Sequence, residues 1–263
     1  MLYRVFFFLL AVLPAAVLVI YIVLRDKYES EPIKKILLTF FAGMLAVPLD
    51  LFTIFIFKLD NYSLHFSTPV GQQIADAFFS AALPEELSKF VILFMLIWWS
   101  KDFNERMDGI VYSVCVSMGF ATVENIMYVM NDPSCAVGRA LFAVPGHFLF
   151  AVLMGFFLSL AKFTEKRRSL NWAMTLFAPI LAHGIYDSIV MVSGVTSVGW
   201  AMSLTVIFYV FIFILWRICL DKISQHVESS PFSYWRKYRD KQLKKKHHAD
   251  EQQIDSVKDS LDN

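Results

Sequence analysis

The sequence is poor in cysteine, and nothing in the placement of its three cysteines builds a site. Cys115, Cys135 and Cys219 lie far apart in 263 residues and none belongs to a C-x-x-C or similar pattern, which argues against a thiolate metal centre and against a disulfide framework. Neither H-E-x-x-H nor G-x-S-x-G occurs anywhere, so the usual marks of soluble zinc proteases and nucleophile-elbow hydrolases are missing. No internal repeat is visible, and no polar stretch is long enough for a soluble domain. Charge is scarce as well: Asp, Glu, Lys and Arg make up 18% of the chain, against about 25% in an average soluble domain. With a net charge of +1, the composition offers no nucleic-acid surface.

What is present in abundance is apolar. Hydrophobic residues account for 57% of the chain, 26 of them phenylalanine, and the mean hydropathy is +0.54. Runs long enough to cross about 30 Å of hydrocarbon as helices occur at residues 3–24, 36–57, 74–99, 109–130, 139–161, 172–192 and 198–219. The expected fold is therefore all-α, a polytopic transmembrane bundle of about seven spans in a cell membrane. The first run is read as a retained span, because RDKYESEP follows it where a signal peptide would have a small-residue cleavage site.

Lysine and arginine crowd alternate connections. Arg25, Lys27, Lys34 and Lys35 follow the first span, Lys101 and Arg106 the third, and Lys162, Lys166, Arg167 and Arg168 the fifth. The positive-inside rule then places the odd loops and the C-terminal tail in the cytoplasm and the N-terminus outside. Two regions are expected: a membrane domain over residues 1–220 and a basic, partly disordered tail over 221–263. Trp235, Arg236, Lys237 and the run Lys244, Lys245, Lys246 in that tail also suit anionic headgroups of the lipid bilayer.

Against this apolar background the ionisable residues inside the spans stand out, since each costs about 2.5–3.5 kcal/mol at a span centre. Glu85, Glu86 and Lys89 fall in the third run, Glu124 with Asn125 in the fourth, His147 in the fifth, and His183 with Asp187 in the sixth. With the orientation above, helical rise puts Glu85 about 16 Å, His147 about 12 Å, Glu124 about 9 Å and His183 about 14 Å from the outer surface. They share one layer, which predicts a single buried site in the outer half of the membrane. Glu85 and Lys89 are spaced for a helical ion pair, as are His183 and Asp187, and Gly119 and Ala121 permit a close helix approach beside Glu124.

Two histidines and several carboxylates suit either of two hydrolytic sites. One holds a divalent metal such as zinc with an open position for water; the other is metal-free, with a glutamate acting directly on water. Asn125 or a histidine would supply an oxyanion donor. Buried glutamates and histidines also build the proton relays of transporters, although the paired broken helices of repeated halves are not evident. A non-catalytic scaffold is the third reading.

PEELSK, DGIVYSVCVSMGFATVENIMYV, RALFAVPGHFLFAVLMGF and LAHGIYDSIV, in that order, resemble the motifs of the PrsW family of membrane proteases, and RDKYESEP resembles its N-terminal signature. The resemblance covers residues 25–192 and extends to the superfamily of CAAX prenyl endopeptidases and Abi proteins. It implies a helical fold with a glutamate-rich cavity, in which Glu85 activates water and Glu86 supports it. Glu124, His147 and His183 would be ligands or oxyanion donors, with Lys89, Asn125 and Asp187 in support. Glu124 stands where CAAX enzymes have histidine, and Lys89 lies one position before their arginine, so prenylated substrates are not implied. The substrate implied is a membrane-bound protein such as an anti-sigma factor, cut at its first site.

Overall fold

The structure is a computed structural model that describes residues 2–234 and residue 238. Ten helices follow one another among these residues. They are α1 (Leu2–Arg25), α2 (Ile33–Met44), α3 (Ala46–Phe57), α4 (Pro69–Ala75), α5 (Leu83–Ile97), α6 (Arg106–Asn131), the single turn α7 (Ala136–Gly138), α8 (Val144–Phe163), α9 (Arg168–Ser193) and α10 (Val198–Glu228). Helices that enclose their own backbone bonds are what a chain this apolar needs in lipid.

Six helical stretches among the described residues are long and apolar enough to cross a membrane: Phe6–Arg25, Ile33–Phe57, Arg106–Asn131, Pro133–Phe163, Arg168–Ser193 and Val198–Glu228. The remaining expected run, residues 74–99, is helical but interrupted. It consists of α4, a π-helical segment at Asp76–Ala82, and α5. Glu85, Glu86 and Lys89 make it less apolar than its neighbours. The bundle therefore agrees with the expected architecture, and the run that falls outside the six carries the glutamate pair.

Helices α6 and α8 form the centre. Every side chain from Met107 to Thr122 is buried, as is every one from Gly146 to Phe156, whereas α1 and α10 present Phe6, Phe8, Val206 and Phe213 outward. A helix apolar all round belongs inside, and one with an exposed apolar face belongs against lipid. Small residues set the spacing. A Cβ added to Gly43 of α2 would strike the Val116 carbonyl of α6, and one added to Gly119 would strike the Phe40 carbonyl of α2. Gly109 and Gly155 interlock α6 with α8 in the same way, which confirms the close approach expected beside Glu124.

Helix α10 runs on past Asp221 to Glu228, burying Ile223 and Val227, while His226 Nε2 faces the Phe156 carbonyl at 3.2 Å. The tail residues Trp235, Arg236, Lys237 and the Lys244–Lys246 run lie outside the described residues.

Candidate active site

Two chain breaks prepare the site. Proline has no N–H and its ring crowds the carbonyl four residues earlier, so an α-helix cannot pass through it unchanged. Pro84 and Pro145 each sit in the second position of a new α-helix, and each follows a π-helical segment, Asp76–Ala82 and Arg139–Ala143 respectively. The wider π turn accommodates the ring and resets the angle at which the next residues point. Those residues are Glu85 and Glu86 in the first case and His147 in the second. A third proline, Pro179, lies inside α9 one turn before His183.

From these positions Glu85, Glu86, His147 and His183 converge. Each offers one ligand atom, the four atoms lie within 4.8 Å of one another, and all four residues are buried. Lys89 of α5 reaches into the same space. Its Nζ donates to Glu85 Oε2 at 3.0 Å and to Glu86 Oε1 at 2.8 Å, and it faces His147 Nδ1 at 3.1 Å. The Phe120 ring closes the remaining side, 4.1 Å from the ammonium. This is a complete set of partners for a buried cation, with electrostatic attraction supplied by the ring face as well as by the anions.

Each histidine carries a second carboxylate behind it. His147 Nε2 meets Glu124 Oε2 at 2.8 Å, and His183 Nε2 meets Asp187 Oδ2 at 3.2 Å while its Nδ1 faces Glu86 Oε1 at 3.0 Å. Phe150 stacks on the His183 ring at 4.6 Å, and the two imidazoles stand nearly perpendicular, 5.4 Å apart. Both rings are thus fixed in orientation by a carboxylate at Nε2, leaving Nδ1 toward the glutamate pair. The sequence-based spacing of His183 and Asp187 is realised as a direct contact.

The residues expected from sequence are not all brought to one point. Glu124 is outside the converging quartet and holds the far nitrogen of His147. It is itself held by Arg139 Nη2 at 2.7 Å. Asn125 faces away: its Nδ2 donates to the Ala11 carbonyl at 3.1 Å and its Oδ1 accepts from Arg139 Nε at 2.7 Å. With both ends engaged, its amide is directed at α1 and at Arg139. Arg139 and Phe150 are the contributors that sequence reasoning passed over. A signal existed for Arg139, a charge opening an apolar run eight residues before His147; Phe150 carried none among 26 phenylalanines.

A divalent metal is compatible with this donor set in kind, since two imidazoles and two carboxylates at this separation match zinc ligands. The same atoms already surround a positive charge, the Lys89 ammonium, so an ion bound here would take its place. Hydrolysis by a carboxylate-activated water uses the same groups.

Comparison with known proteins gives the same direction. A family model described as PrsW family intramembrane metalloprotease matches residues 31–216. A protein named Protease PrsW from Geobacillus kaustophilus is 38% identical over 216 residues, covering 81% of this chain and 89% of the relative. One of the same name from Clostridioides difficile is 32% identical over 247 residues, 90% of this chain and 98% of the relative. A third, from Bacillus subtilis, is 35% identical over 178 residues, 67% and 78% respectively. No solved structure matches the chain. A multi-pass helical chain whose buried glutamates and histidines meet within the bundle, and whose relatives are named as proteases over most of their length, is an intramembrane protease, and it belongs to the PrsW family of intramembrane metalloproteases.

Proposed function

We propose that Glu85 is the base of this protease, activating the water that attacks a peptide bond of a membrane-bound protein. The observation that carries the reading is the difference between the paired glutamates. Glu86 is 1% exposed, with its Oε1 shared by Lys89 and His183. Glu85 is 8% exposed and engages Lys89 through Oε2 alone, and its Oε1 makes no hydrogen bond among the described residues. That oxygen is free to take a proton.

In this scheme water loses its proton to Glu85 as its oxygen adds to the scissile carbonyl carbon. The carbonyl becomes an oxyanion, to which His183, held at Nε2 by Asp187, would donate from Nδ1 in exchange for its contact with Glu86. Glu85 then passes the proton to the leaving nitrogen as the C–N bond breaks. Lys89 and Glu86 hold the charge balance. Glu85, Glu86, His147 and His183 would hold a divalent ion such as zinc, which supplies polarisation of the carbonyl and a more acidic water. Glu124 and Asp187 would then orient the two histidine ligands from behind.

The alternating lysine and arginine loops support a cytoplasmic tail and an external N-terminus. A site in the outer half of the bilayer suits cleavage near the external surface, and an anti-sigma factor anchored in the membrane is the substrate class the family resemblance favours. Membrane proteomes from cells carrying the intact protein or Glu85→Gln are the test. A fragment that forms only with intact Glu85 supports the assignment and identifies the substrate, whereas unchanged cleavage in the variant defeats it. Metal content measured with and without chelator separates the two chemistries: zinc lost in step with activity requires the metal, and activity indifferent to chelator requires the glutamate alone.

A further inference from the structure

A second group of acids lies at the other end of α6. Asp108 precedes Glu124 by sixteen residues on that helix, about 24 Å of helical rise. Glu29 from the α1–α2 loop, Glu105 and Asp108 each offer an oxygen, and the three atoms lie within 4.8 Å of one another. Asp26 and Glu31, from the same loop, stand close enough to add to the charge on this group. The loop is the RDKYESEP stretch, none of whose acids the catalytic centre uses.

These carboxylates are enclosed, and although Glu105 and Asp108 form a capping box at the start of α6, several oxygens of the group lack donors. Asp108 is 0%, Glu105 2% and Asp26 5% exposed. Asp108 Oδ2 accepts from the backbone N–H groups of Asn104 and Glu105 at 2.8 and 2.7 Å, but its Oδ1 is buried without a donor. Tyr112 donates to Glu31 Oε2, while Glu31 Oε1 has no donor. Asn104 Nδ2 donates to Glu29 Oε1 at 3.2 Å, and Glu29 Oε2 and Asp26 Oδ2 are likewise buried and unserved. None of the five forms an ion pair among the described residues. Buried carboxylates whose oxygens lack donors can ionise together only if a positive charge joins them.

We propose that this cluster binds a hard divalent cation, Mg²⁺ or Ca²⁺, which ties the α1–α2 loop to the start of α6. The donors are all oxygen, with no nitrogen or sulfur, which selects against zinc. Several carboxylates from two separate segments suit an ion that accepts six or more oxygens. The site is independent of the catalytic reading.

The test is thermal unfolding of the purified full-length protein in detergent, titrated separately with Mg²⁺, Ca²⁺ and Zn²⁺. The expected result is a saturable rise in melting temperature with Mg²⁺ or Ca²⁺. It should weaken at least about tenfold in apparent affinity in Glu29→Gln, the least enclosed member, and in Glu105→Gln. Glu85→Gln should leave it unchanged. A melting temperature indifferent to both ions, or a rise that survives both cluster substitutions, overturns the proposal. In that case a proton shared by Glu31 and Asp108, or a basic side chain, supplies the missing charge. Dependence on Ca²⁺ alone or Mg²⁺ alone identifies the ion.

Discussion

The Nε2 atom of His147 lies 2.8 Å from Glu124 Oε2, and this contact fixes which proton the ring carries. An ionised carboxylate only accepts, and the ammonium of Lys89 on the opposite side, 3.1 Å from Nδ1, only donates. The ring between them is held as the Nε2–H tautomer with its Nδ1 lone pair toward the glutamate pair. That lone pair can face an ammonium or a metal ion equally well, which is why both chemistries fit one arrangement.

Glu124→Ala removes the acceptor at Nε2 and frees the ring to flip. Cleavage is expected to fall about 10–100-fold, with Glu124→Gln retaining more activity because its amide oxygen can still accept. The comparison is a cleavage rate for both variants at equal amounts of folded protein. Equal loss in the two would show that charge, not orientation, is what Glu124 contributes.

Lys89→Met leaves Glu85 and Glu86 buried beside each other with their shared cation gone. Breaking a buried charge group by removing one partner costs about 3–5 kcal/mol, so the variant should melt well below the parent. Added zinc should restore part of the loss by occupying the vacated centre. Lys89→Arg is not expected to rescue, since a planar guanidinium cannot point at Glu85, Glu86 and His147 from one nitrogen. A Met variant as stable as the parent would remove Lys89 from its central position.

Pro84→Ala restores an N–H where the π segment now absorbs its absence. Reversion of Asp76–Ala82 to a regular helix changes the phase of the following residues by about 100° for each residue of bulge lost. Cleavage should collapse while the melting temperature holds or rises, because alanine favours the helix. Full activity in this variant would mean that packing, rather than the proline, sets the π turn.

Gly119→Leu forces a side chain against the Phe40 carbonyl at a contact made of backbone. Overpacking costs about 1–3 kcal/mol and more where backbone must move. Destabilisation should be accompanied by loss of cleavage, since α6 carries Glu124. Melting in detergent and cleavage measured together are the check.

Much of this was legible in the sequence for one reason: an ionisable residue inside a lipid-facing run is conspicuous, and hydrophobic length is easy to count. Glu85, Glu86, Glu124, His147, His183 and Asp187 stand out that way, and the fold brings the first two together with the histidines, with Glu124 and Asp187 behind the rings. The interruption of residues 74–99 was hidden, because hydropathy sees the run and not the π turn; Pro84 was its only sign. Asn125 misled, since an amide beside a buried glutamate looks like an oxyanion donor until Ala11 and Arg139 are seen to engage both its ends. Partners that come from distant segments, as Arg139 does for Glu124, are a property of packing and cannot be counted along a chain.

The converging groups and their supports come from different helices: Glu85, Glu86 and Lys89 from α5, His147 from α8 and His183 from α9, with Glu124 of α6 and Asp187 of α9 behind the histidines. During synthesis these segments enter the membrane in order, and the last of them arrives only when most of the chain has been made. Until α9 docks, Glu86 has no imidazole beside it and the buried quartet is incomplete. Because the site is divided among helices far apart in the chain, the catalysis proposed for it requires the bundle to be complete.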